Sequence, residues 1–217
     1  MFGLTEGFTD YIEIDGKEVK INLAFDNVLR AYEILKREDY FQRDNVYSAA
    51  DGLSFLSSTA MTPATKIYEA LKCFGVKGSY TIAERAFLLE KALGRASEYS
   101  RNVDNYNYKE KNAEPLIDYK KDAGLIYCAF LQGYGVDLFE MQGKLHWAKF
   151  LTLLNNIPDE ARLAKVIGYR GMKLPALNSH NRQEIMHLRE LKDIYRLNKT
   201  PVQIKDRMNN ALASLFL

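Results

Sequence analysis

The sequence predicts a mostly α protein, a helical bundle preceded by a short N-terminal β-hairpin. Three observations carry this. Residues 11–23 alternate apolar and polar side chains on either side of Asp15-Gly16. Downstream, apolar residues recur at three- and four-residue spacing, as they do on one face of a helix. Start and stop signals punctuate that pattern, among them Thr62-Pro63, Thr81 with Glu84, and Gly135.

The hairpin comes first. Asp15-Gly16 suits a two-residue type I′ turn, which needs positive φ at both positions. The strands it joins are expected over 11–14 and 19–23. That turn sets Ile12 opposite Val19, on the face that Ile14 and Ile21 also occupy. Two strands alone are only marginally stable, so this face needs helices or a partner strand over it.

Asp26 is expected to cap a helix carrying Val28, Leu29, Tyr32 and Leu35. Val46, Ala49, Ala50, Leu53 and Leu56 suggest another within 40–60, interrupted at Gly52. Thr62-Pro63 is a cap followed by proline at the first helical position. Its helix carries Ile67, Leu71 and Phe74 and stops at Gly75. Thr81 and Glu84 make a capping box for a run to Leu93 with Ile82, Phe87, Leu88 and Leu89.

Residues 97–116 read as a polar linker or loop, with Val103 the only aliphatic residue larger than alanine before Pro115. Its tyrosines offer a second reading, an aromatic contact patch. The expected division is therefore 1–96, hairpin plus helices; 97–116, linker; and 117–217, a C-terminal helical region. In the last, Asp118 is expected to cap a helix with Ala123, Ile126, Tyr127, Phe130 and Tyr134 that ends at Gly135. A helix from about His146 to Asn155 carries Trp147, Phe150, Leu151 and Leu154. Pro158 is expected to start a third, ending near Gly168. Ser179 opens a fourth with Ile185, Leu188 and Leu191, and Thr200-Pro201 a fifth with Ile204, Met208, Leu212 and Leu215. The short loops suggest antiparallel neighbours.

Composition narrows the function. A compact chain of 217 residues buries roughly 70% of its unfolded surface and needs no disulfide or metal to hold a core. A net charge of +2 gives no nucleic-acid footprint. The start has no basic stretch followed by an apolar one, so no signal peptide is expected, and no apolar run is long enough to span a membrane. The expected location is the cytoplasm. Cys73 and Cys128 lie in apolar, helix-like stretches and read as buried free thiols, with a disulfide between them as the alternative.

Signatures of chemistry are missing. There is no HExxH or CxxC, and His180 and His187 lack further ligands, so no metal is expected. Gly133 and Gly135 end a helix instead of following a strand, which removes the dinucleotide reading. His146 needs a carboxylate partner and a pocket to act as a base; packing or capping is the expected role. No cofactor and no catalytic residue is assigned. Basic residues gather at 162–173 and 182–207, but Glu184, Glu190, Asp193 and Asp206 dilute the second group. An ion-paired helical face is the expected reading. The ending is apolar through Leu215, Phe216 and Leu217, which suggests docking against the chain's own core or into a partner.

One segment points further. Asp122-Ala123, Ile126-Tyr127, Ala129-Phe130 and Tyr134 through Leu138 are followed by Leu145-His146-Trp147, Phe150, Leu153-Leu154, Pro158, Ile167 and Tyr169-Arg170. This ordered string over 118–170 resembles the bacteriophage gene-product-fifteen family, encoded in tail modules of phages and prophages of Gram-positive bacteria. After Arg170 the chain departs from the pattern and adds the helix near 200–217. The resemblance implies a non-catalytic tail-assembly chaperone that binds the tape-measure protein, the tail-tube protein or both, in the cytoplasm of the bacterial host. The alternatives are a structural component of a mature tail and a nucleic-acid-binding regulator. A homo-oligomer is expected, without nucleic-acid or membrane partners. The expected protein-binding residues are Tyr169, Arg170, Leu212, Leu215, Phe216 and Leu217, since Tyr and Arg favour interfaces.

Overall fold

The structure is a computed structural model that describes residues 8, 10–36, 62–103, 115–176, 178 and 181–197. It has the expected class: a two-stranded antiparallel hairpin, and seven helices among the described residues. Two compact units separate. The first draws on residues 1–108 and 139–155, the second on 109–138 and 156–217. Residues 139–155, expected in the C-terminal region, thus belong to the first unit.

The hairpin pairs β1 (Tyr11–Ile14) with β2 (Lys17–Lys20), and Ile12 faces Val19. Asp15 and Gly16 have φ of 49° and 72°, as a type I′ turn requires. Ile12, Val19 and Ile21 are buried, so the apolar face is covered. The second strand begins two residues earlier than expected, because the tight turn lets pairing start at once.

Helix α1 (Phe25–Lys36) buries Phe25, Val28 and Ala31, and leaves Leu29, Tyr32 and Leu35 only half-buried. Asp26 does not cap it. The carboxylate lies inside the first turn and accepts the N–H of Gly143 at 2.8 Å. Helix α2 (Pro63–Cys73) starts as expected: Thr62 accepts the N–H of Thr65 at 3.2 Å and proline follows.

Helix α3 (Ile82–Val103) opens on the expected capping box, in which Thr81 and Glu84 each accept the other's backbone N–H. Its buried face is Leu88, Leu89, Ala92 and Ala96, while Ile82 and Phe87 are exposed. The helix runs ten residues past Leu93, and residues 97–103 are helical where a linker was expected. Small Ala92 and Ala96 let the axis approach its neighbours, and that contact holds the polar end helical.

The return to the first unit is a clamp. Phe25 N–H donates to Leu145 O at 2.9 Å and Trp147 N–H to Leu23 O at 2.7 Å, an isolated antiparallel bridge. Helix α5 (Trp147–Asn155) then buries Trp147, Phe150, Leu151 and Leu154 as the spacing predicts. Phe25, Phe150 and Trp147 stack, with centroids 4.9 Å and 5.5 Å apart.

In the second unit α4 (Ala123–Tyr134) ends at Gly135, whose φ of 65° and N–H on Leu131 O make an αL stop. It starts later than expected. Asp118 accepts the N–H groups of Lys120 and Lys121 and so caps the turn before the helix. Cys128 is exposed on α4, Cys73 is half-buried on α2, and both are free thiols. Helix α6 (Arg162–Gly171) buries Leu163 and Val166. It also starts late, since Pro158 heads the preceding turn. Helix α7 (Arg182–Tyr195) buries Ile185 and has Asn181 at its N-cap position. Four expectations lie outside the described residues: the helix within 40–60, Ser179 as a cap, the tyrosines Tyr106 and Tyr108, and the helix from Thr200-Pro201.

The caps generate a prediction. Thr62→Ala should lower stability by about 1 kcal/mol, read as a shift in urea midpoint at unchanged slope. The Glu84 carboxyl is held below its ordinary range by the backbone N–H and then the hydroxyl of Thr81. A lowered native value stabilises above the unfolded one and loses that contribution as pH falls through the native one. Glu84→Ala should therefore lower the midpoint at neutral pH and match wild type in acid below the carboxylate range.

Candidate functional site

Two polar clusters stand out, one in each unit. In the first, His146 Nε2 lies 2.8 Å from Asp10 Oδ2, and both side chains are largely buried. The other ring nitrogen, Nδ1, accepts the N–H of Ala148 at 3.1 Å, so His146 caps α5 with its side chain. An accepting Nδ1 places the ring proton on Nε2, where it donates to Asp10. Tyr99 OH donates to the other Asp10 oxygen at 3.4 Å. Burial first, then the Asp10 charge, raises the Tyr99 pKa above its usual value. Phe8 stacks on the imidazole with centroids 3.7 Å apart. Beside this cluster, Trp147 Nε1 donates to Ala96 O and Ser100 Oγ, each at 3.2 Å.

An Asp-His pair suggests general base chemistry, but a base needs a free nitrogen to take a proton from substrate. Here both nitrogens are committed, one to the helix start and one to Asp10. The cluster ties the strand entry at Asp10, helix α3 and helix α5 together.

In the second unit Arg170 and Asp122 form a two-pronged pair, Nη1 to Oδ2 at 2.7 Å and Nη2 to Oδ1 at 2.8 Å. The side chains are 10% and 3% exposed. Arg170 also donates to Tyr195 O through Nε and to Leu116 O through Nη1. Asp122 Oδ2 accepts the N–H of Asp118 as well, at 2.9 Å. One guanidinium thus holds the entry of α4, the segment before it and the end of α7.

The structure places two of the expected binding residues. Arg170 is not directed to the surface; it is consumed internally. Tyr169 is half-buried and stacks on Tyr195, with centroids 5.6 Å apart. Leu212, Leu215, Phe216 and Leu217 lie outside the described residues, as does His180. His187 is exposed on α7. Among the described residues, no group of three or more His, Cys, Asp or Glu gathers as a metal site. No described helix is long and apolar enough to cross a membrane.

Sequence reasoning missed Asp10, Tyr99 and Asp122 as cluster members. Tyr99 had a signal, because Leu88, Ala92, Ala96 and Tyr99 continue one helical stripe through the polar stretch. Asp122 and Arg170 both fall in the string that carries the family resemblance, but no local pattern pairs them, since they are 48 residues apart.

A cleft of about 410 Å³ lies in the second unit next to this pair, lined in part by Leu116, Leu174, Arg189, Lys192 and Arg196.

Removing one member of a buried pair strands the other charge. Arg170→Ala should destabilise the protein by roughly 3–5 kcal/mol in urea unfolding. Arg189→Ala, at an exposed position, should change stability by less than about 0.5 kcal/mol.

Comparison with known proteins gives one result. No curated protein and no solved structure matches. A family model described as Bacteriophage Gp15 protein matches residues 4–197. The match extends past Arg170, where the sequence string was expected to break off, and takes in α7. A match over that much of the sequence shows that the chain belongs to the bacteriophage Gp15 protein family.

Proposed function

We propose that this phage protein is a non-catalytic assembly factor for the tail. In this reading it binds the tape-measure protein, the tail-tube protein or both during morphogenesis, as a homo-oligomer in the cytoplasm of the host. Family membership supports the phage setting. One structural observation carries the rest. In both polar clusters the groups that chemistry would need are spent on the fold: His146 uses both ring nitrogens, and Arg170 bonds three separate segments. Large apolar side chains, meanwhile, face solvent. Ile82 is 65%, Phe139 70% and Met186 60% exposed. Such side chains suit reversible contact with other polypeptides, Met186 because it adapts its shape to the partner.

Three measurements test this reading. Co-expression with tape-measure and tail-tube genes, followed by pull-down, should recover a complex with at least one of them. Mass spectrometry of purified mature particles should find the protein absent. Stoichiometric presence in finished tails would overturn the assembly-factor reading and leave a structural tail component. Light scattering at tens of micromolar should show a mass above one chain; a strict monomer would contradict the homo-oligomer.

A further inference from the structure

The cleft in the second unit has a lopsided lining. Leu116, Leu174 and Leu197 supply apolar surface, and each is half-buried. Arg189, Lys192 and Arg196 supply positive charge, with Asp193 as the one acid among the lining residues. Arg170 also reaches the lining, but its charge is matched by Asp122. Positions 189, 192 and 193 fall three and four residues apart, so they form one stripe along the end of α7, and Arg196 follows directly as the C-cap residue. Lys192 Nζ is held in place by Met172 O at 2.8 Å. The cleft volume of about 410 Å³ is in the range of built binding pockets and holds a few side chains.

We propose that this cleft takes an acidic segment of a partner polypeptide, carrying a leucine-sized apolar side chain between carboxylates. The apolar lining accepts the leucine, and the α7 stripe meets the carboxylates. Charge complementarity selects this occupant. The chain's own residues 198–217 carry Lys199, Lys205 and Arg207 against Asp206, a net charge of the same sign as the stripe. The inference rests on the reading of the protein as a binder of polypeptides.

Fluorescence anisotropy with the full chain tests it, using a labelled synthetic peptide of alternating Glu-Glu and Leu-Leu pairs. Binding is expected at low salt and should weaken as ionic strength rises. Arg189→Glu with Arg196→Glu should weaken it by roughly tenfold or more. Arg189→Glu alone, at an exposed position, is the second variant should the pair perturb folding, and it should weaken binding in the same direction. Leu174→Ser should also weaken it. The proposal is overturned by no binding, by equal binding to wild type and Arg189→Glu, or by equal binding of an all-Glu peptide, which would mark a simple anion site. The two readings fail differently. If tail-protein capture survives in the charge-reversed variant, the cleft proposal falls and the functional one stands. If the peptide binds and no tail protein is captured, the functional reading falls.

Discussion

The second unit depends on one buried guanidinium. Taking Arg170 out of water is costly, and the cost is offset only if its donors find acceptors in good geometry. Asp122 provides two, and the carbonyls of Leu116 and Tyr195 provide the others. Those acceptors come from three separate stretches of chain, so satisfying one side chain fixes the relation of three segments. Helices α4, α6 and α7 bury a small core, with Ile126, Phe130, Leu163, Val166 and Ile185 at its centre. A core of that size says little about register, because apolar contacts are not directional. The ion pair supplies the direction. The cleft inherits its shape from the same bonds, since Leu116 and Arg170 both line it.

The first unit solves the same problem with rings. Its specificity comes from the stack of Phe25, Phe150 and Trp147 and from the cluster around His146. Backbone pairing of Leu23 and Phe25 with Trp147 and Leu145 brings residues 139–155 back to the N-terminal half. Asp26 and Asn22 reinforce it by bonding the backbone of Gly143. Among the described residues, no buried side-chain nitrogen or oxygen lacks a partner.

What the sequence made legible follows the range of the interactions. The turn at Asp15-Gly16, the cap at Thr62 and the box at Thr81 and Glu84 are set by residues within a few positions, and each was readable. The α5 face was readable too, because Trp147, Phe150, Leu151 and Leu154 repeat with helical period. Errors arose where a distant partner took over a residue with a local signature. Asp26 looked like a cap, but Gly143, 117 residues away, uses its carboxylate. Residues 97–103 looked like a linker by composition, yet Trp147 and Asp10 hold Ser100 and Tyr99 in a helix. Arg170 looked like an interface anchor, since nothing near it announces Asp122. The basic stripe of α7 was visible as charge, and only the fold shows Leu116 and Leu174 beside it.

Arg170 is the internal hub of the second unit. A double-mutant cycle between Asp122→Asn and Arg170→Met, measured by urea unfolding, addresses it most directly. The two changes should be strongly non-additive, with a coupling toward the upper end of about 0.5–3 kcal/mol. Additivity within about 0.5 kcal/mol would contradict it, and would return Arg170 to the surface role its residue type suggests.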